Sequence, residues 1–176
     1  MEQLGALITS GKNGFQNLME KIPGIKGYQA KEDRRDTDKI VRETIAKRFE
    51  EQWTRISAIQ RDLIKKGDLN SVSDLESAAI KIRQFTDRIK MASYGYAGLL
   101  DAVKVDEAAL DQLYDYDLYL FKLADSVSES VDSVESAVAS NSEGLSVAIT
   151  NLTKVAQDSL TAFNRRNEVI TGTVNS

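Results

Sequence analysis

The sequence predicts an all-helical fold, an antiparallel three- or four-helix bundle that ends in a long heptad-patterned helix or a helical hairpin. Three observations carry this expectation. Apolar residues recur at three- and four-residue steps along most of the chain, helix-starting and helix-stopping residues punctuate those series, and no segment alternates apolar and polar residues between hairpin turns.

Composition narrows the chemistry. The 176 residues are 41% hydrophobic and 28% charged, which describes a foldable chain. One Pro, no Cys and no His remove disulfides, thiolate nucleophiles, the usual zinc sites and every histidine-dependent triad. The start Met1-Glu2-Gln3 lacks the basic and apolar regions of a secretory signal, and no apolar run approaches the roughly 20 residues of a membrane span. A cytoplasmic location is expected, peripheral to a membrane if the N-terminal segment binds lipid.

The first element is an amphipathic segment within residues 1–27. Leu4, Leu7, Ile8, Phe15, Leu18, Met19 and Ile22 form one apolar face, which Pro23-Gly24 stops. Gly5, Gly11 and Gly14 make it a poor helix alone, so the face needs something to meet. It docks on the bundle, on another copy, or on a membrane interface, although Glu2, Lys12, Glu20 and Lys21 cancel and offer no pull toward anionic lipid.

A first long helix is expected from Asp36 to Lys66 on the series Val41, Ile45, Phe49, Ile56, Ile59 and Leu63, with Gly67 as its stop. A second is announced by the capping box Ser73-Asp74-Leu75-Glu76 and runs through Ala79, Ile82, Phe85 and Ile89 to about Ala92. A third starts near Asp106, where Asp106 and Glu107 suit a helix N-terminus. Its seam of Leu110, Leu113, Leu120, Ala124, Val127, Val131, Val134 and Val138 continues in one heptad register through Leu145, Ala148, Leu152 and Val155.

Two arrangements explain that run. Either one helix of about 60 residues projects from the domain, or the chain reverses at Ser140-Asn141-Ser142-Glu143-Gly144 and a fourth helix packs back. From Ser126 to Thr161, 12 of 36 residues are Ser or Thr, so packing rather than propensity must hold this region. Asn141 and Ser159 fall on the seam as polar register-setting positions. The chain therefore divides into an amphipathic segment (1–27), a bundle core (28–125) and a coiled-coil-like arm (126–176). The seam residues Val127, Val131, Val134, Val138, Leu145 and Leu152 look too extensive for the shorter second helix to cover, which points to assembly through the arm.

Net charge is −4, but it is unevenly laid out. Residues 1–66 carry 14 basic and 10 acidic groups, whereas residues 106–139 carry 1 and 9. Opposite charge on these two stretches is expected to make their helices neighbours. Within 31–51 the basic residues are interleaved with acidic ones, and with a pI near 5.0 this argues against nucleic acid as a partner.

One cluster stands apart. Gly27-Tyr28-Gln29-Ala30-Lys31-Glu32-Asp33-Arg34-Arg35-Asp36, taken with Tyr94-Gly95-Tyr96-Ala97-Gly98 and Leu113-Tyr114-Asp115-Tyr116-Asp117, resembles a pattern of uncharacterised bacterial helical proteins over residues 24–125. The resemblance implies no activity, cofactor or partner. In an up-down-up bundle the three motifs meet at one end, which gathers Tyr28, Arg34, Arg35, Tyr94, Tyr96, Tyr114 and Asp117. Asp117 falls on the seam between Leu113 and Leu120, where an unpaired carboxylate is costly. Arg34 or Arg35 is the expected partner, and the cluster reads as a buried ionic clamp or as a pocket for an anion. Asp115 and Asp117 point to different helix faces and do not suit acid and base work together. The expected function is a non-enzymatic scaffold or adaptor without cofactor or metal, acting through protein-protein contacts and assembling with itself. The alternative is a peripheral membrane protein anchored by residues 1–22.

Overall fold

The computed structural model describes residues 14–27, 31–92, 107–140 and 144–171. These form α1 (Gly14–Lys21), α2 (Lys31–Lys66), α3 (Leu69–Met91), α4 (Glu107–Ala139) and α5 (Leu145–Thr171), with no strand among the described residues. The fold class is all-α, as the periodicity predicts.

α2 and α3 form one antiparallel hairpin. Gly67 turns the chain with φ +78°, a left-handed conformation that a side chain resists, and Asp68 N–H reaches back to Leu63 O at 3.0 Å. α3 begins earlier than the capping box suggests. Its N-cap is Asp68, whose Oδ1 accepts from Ser71 N–H at 3.1 Å, so one turn of helix precedes Ser73. It ends on Ala92, where it is expected to end.

α4 and α5 form the second hairpin. The chain reverses between Ala139 and Leu145, with Gly144 at φ +79°, which sets aside the single projecting helix. Asn141 lies outside the described residues. Ser159 is buried on the seam, but its hydroxyl donates to Val155 O at 2.9 Å within its own helix.

The two hairpins lie side by side. α2 packs on α4 and α3 on α5, so both inter-hairpin contacts are parallel, while α3 and α4 occupy diagonal corners. Arg48 meets Asp125 and Arg55 meets Asp132, and this constant offset fixes the parallel direction. The charge layout is thus read correctly, because the basic first stretch and the acidic third are neighbours. Arg48 Nη1 donates to Asp125 Oδ1 at 2.8 Å, and Arg55 donates to Glu135 Oε2 at 2.7 Å and to Asp132. Lys66 Nζ donates to Val138 O at 2.6 Å, where a cation suits the end of α4.

Two expectations about the C-terminal third are corrected here. The boundary at residues 125 and 126 falls inside α4, and α5 packs on α3, so no separate arm exists among the described residues. The seam residues Val127, Val131, Val134, Val138, Leu145 and Leu152 are all buried within the chain. The expectation that α3 is too short to cover them overlooks α2, whose 36 residues lie along α4, and α5, which closes the other side.

α1 docks on α4. Leu18 and Ile22 are buried in the common core and Phe15 packs against it, while Met19 faces outward. Of the expected partner-or-membrane face, Leu4, Leu7 and Ile8 lie outside the described residues.

Candidate functional site

The core stripes do not stop where their apolar residues stop. On α2 the series Val41 and Ile45 extends backward to Asp38 and Arg34 at the same three- and four-residue steps. On α5 the series Leu152, Ala156, Ser159 and Phe163 extends forward to Arg166, and on α4 Asp117 separates Leu113 from Leu120. These extensions converge at one end of the bundle, where α2 and α4 begin and α3 and α5 end. Arg34, Asp38, Arg42, Asp117 and Arg166 are all buried there.

Their contacts form a chain across the core. Arg42 donates through Nε to Asp38 Oδ2 at 2.7 Å, and its Nη2 lies 2.7 Å from the same oxygen. Arg166 Nη2 donates to Asp38 Oδ1 at 2.8 Å, and Arg166 Nε donates to Asp117 Oδ1 at 2.6 Å. One guanidinium therefore links α5 to its antiparallel neighbour α4 and, diagonally, to α2. The planar fork of arginine suits this task because it presents donors in two directions at once. Charge-assisted bonds of this length in a site closed to water are strong individually.

The sequence expectation places Asp117 correctly as buried but misses this bond. Arg166 belongs to a fourth helix whose return brings its C-terminal end to the cluster, and a three-helix picture leaves it out. Arg34 is buried at the cluster, whereas Arg35 faces outward. Tyr28, Tyr94 and Tyr96 lie outside the described residues. Asp38 and Arg42, four residues apart, read in sequence as part of a locally neutralised stripe, although their place on the extended core stripe marks them for burial.

A neutral contact flanks the charged chain. Gly27 has φ +91°, its N–H donates to Thr37 Oγ1 at 3.2 Å, and the Thr37 hydroxyl donates back to Gly27 O at 3.0 Å. A side chain at Gly27 would begin 2.7 Å from Tyr114 Oη and 2.9 Å from Phe15 Cε2. Glycine is required there by both conformation and space. Tyr114 is buried with its ring 5.4 Å from that of Phe15, which ties α1 to α4 beside the cluster. Asp115, next along α4, is half exposed, and burial together with Asp111 pushes its carboxyl above the ordinary value while Lys122 opposes the shift.

Chemically this arrangement holds helices in place. The bonded carboxylate oxygens already face guanidinium groups and are closed to solvent, so they are not presented to a substrate. Elsewhere, a groove of about 550 Å³ runs between α3 and α5, with Lys81, Thr150 and Gln157 on its walls. Lys81 Nζ donates to Gln157 Oε1 at 2.7 Å across it. Asp74, Lys154 and Asp158 also line it, among Ser, Thr and Ile side chains. No family model, curated protein or solved structure matches this chain.

Proposed function

We propose that the chain is a non-enzymatic helical scaffold or adaptor that works in the cytoplasm through protein contacts and assembles with copies of itself. The observation that carries this reading is where the large apolar side chains remain exposed. Of the eight such residues among those described, six stand on the α2–α3 hairpin: Ile40, Trp53, Ile64, Leu69, Ile80 and Met91. Apolar side chains left exposed on one hairpin, over a core already closed, favour a contact surface. The seam of α4 and α5 does not support assembly, because it is used within the chain.

The rival reading, a membrane anchor in residues 1–22, has less support. Leu18 and Ile22 are buried against the bundle, so inserting them in lipid would first require α1 to leave α4. Light scattering over a wide concentration range separates the two readings when paired with vesicle co-sedimentation. The scaffold reading expects a mass rising above the 19.5 kDa of one chain and no vesicle binding. A constant monomer mass, with vesicle binding abolished by deleting residues 1–22, would establish the rival.

A further inference from the structure

The α2–α3 hairpin carries a second stripe on each helix, outside the core stripe and at the same spacing. On α2 it includes Trp53 and Ile64, and on α3 it includes Glu76, Ile80 and Arg83. Contacts across the hairpin set the register. Lys90 meets Glu50, the Arg83 guanidinium lies 5.8 Å from the centre of the Trp53 ring, and Gln60 Nε2 donates to Glu76 at 2.7 Å. Ile80 therefore sits between the Trp53 and Gln60 levels, in the middle of the face. Trp53, Ile80 and Ile64 are 39%, 47% and 53% exposed, which is unusual for side chains of this size aligned on one surface.

We propose that this face binds a second copy of the chain, antiparallel, about a twofold axis passing by Ile80. The inference rests on the self-assembly reading above and names its surface. Charge placement argues for the second copy over another partner. Arg83 lies three residues to one side of Ile80 and Glu76 four to the other, about 4.5 and 6 Å along the helix. A twofold axis at Ile80 stacks Ile80 on its own copy and sets Arg83 of each chain opposite Glu76 of the other, twice over. The face is thus complementary to itself, which an isologous dimer requires. Within one chain Arg83 meets Asp87 at 4.0 Å and the Trp53 ring, and Glu76 accepts from Gln60, all exposed contacts too weak to withhold either charge. Trp53 flanks this centre as the aromatic anchor that such interfaces favour.

The absence of cysteine supplies a clean test, since any thiol introduced is the only one. Ile80→Cys under mild oxidation is expected to yield a disulfide-linked dimer as its main product, while Val147→Cys, 64% exposed on α5, remains mainly monomeric. Arg83→Glu or Glu76→Arg alone should weaken dimerisation about tenfold or more in sedimentation equilibrium, and the two together should restore it. Circular dichroism of each variant checks that these surface changes leave the helices intact. The face is wrong if Ile80→Cys links no more than Val147→Cys, or if the double exchange fails to restore association. Should the wild-type chain associate undisturbed by all of these changes, this face falls while self-assembly stands. A wild-type chain that stays monomeric at every concentration overturns both.

Discussion

Asp117 and Asp125 stand on the same helix and each meets an arginine, yet their surroundings give the two pairs different weight. Asp117 and Arg166 are fully buried, and Arg166 is shared with Asp38. Asp125 is half exposed and divides itself between Lys21 Nζ at 2.9 Å and Arg48 Nη1 at 2.8 Å. The distances are nearly the same. What differs is the solvent, because water and salt replace a surface partner at little cost and cannot reach a buried one. The buried chain therefore dictates which helix ends meet, whereas the surface ladder of Arg48, Arg55 and their acidic partners reinforces a pairing that the core already sets.

The largest expected effect is at the centre of the buried chain. Arg166→Met should cost about 3–5 kcal/mol, since it leaves two buried carboxylates facing one positive charge fewer. For a chain of this size that lowers Tm by on the order of 10 °C, which a thermal melt followed by circular dichroism reads directly. A change below about 1 kcal/mol would mean that water reaches Asp117 and that the contrast with Asp125 is false.

Arg166→Met combined with Asp117→Leu sharpens the same point. Removing both charges should cost less than removing Arg166 alone, because Asp38 keeps Arg42 and no new orphan is made at Asp117. Strict additivity of the two single changes in a double-mutant cycle would contradict the clamp.

On the surface side, Arg55→Ala should cost no more than about 1 kcal/mol although Arg55 touches Glu135 and Asp132 together. Its effect should shrink further at 1 M salt, where screening acts within about 3 Å, while the cost of Arg166→Met should stay unchanged. Equal salt dependence of the two would break the comparison. Hydrogen bonding to Glu135 is the main influence on Arg55 and holds its guanidinium firmly charged, so the effect of Arg55→Ala should not vary across neutral pH.

Asp115 gives the smallest change and one of opposite sign. Its folded-state pKa is raised, chiefly by burial, so folding favours the protonated carboxyl and the ionised form weakens the fold at neutral pH. Stability held back above the raised pKa returns as pH falls through it. Asp115→Asn should therefore raise Tm slightly at pH 7, and the gain should fade as pH falls toward the ordinary aspartate value of 3.8. A loss of stability at pH 7 would show that the carboxylate has a bonding role.

Much of this was legible in the residues themselves. Val41, Ile45 and Phe49 fix a helix face, Gly67 and Gly144 mark reversals, and the seam position of Asp117 requires its burial. The third helix's negative charge correctly points to the first as neighbour. The bond from Arg166 to Asp117 was less accessible, because Arg166 becomes adjacent only when α5 folds back, and the turn residues and the unbroken register point opposite ways on that reversal. Asp38 and Arg42 were hidden by their company, since alternating charges from 31 to 51 resemble a solvated surface. Continuing the apolar stripe one turn past Val41 would have separated them from it. Ser159 misled for another reason: its hydroxyl is satisfied within its own helix and has no need of a partner strand.

The diagonal reach of Arg166 also has a temporal side. A polypeptide is made from its N-terminus, so Asp38 and Asp117 are synthesised 128 and 49 residues before the guanidinium that joins them. The α2–α3 hairpin can form early from contacts near in sequence, and α4 can find α2 through its charge. The end of the bundle where the carboxylates lie cannot close in its final form until the last turns of α5 have left the ribosome. Closure of this end of the core thus waits on the synthesis of α5.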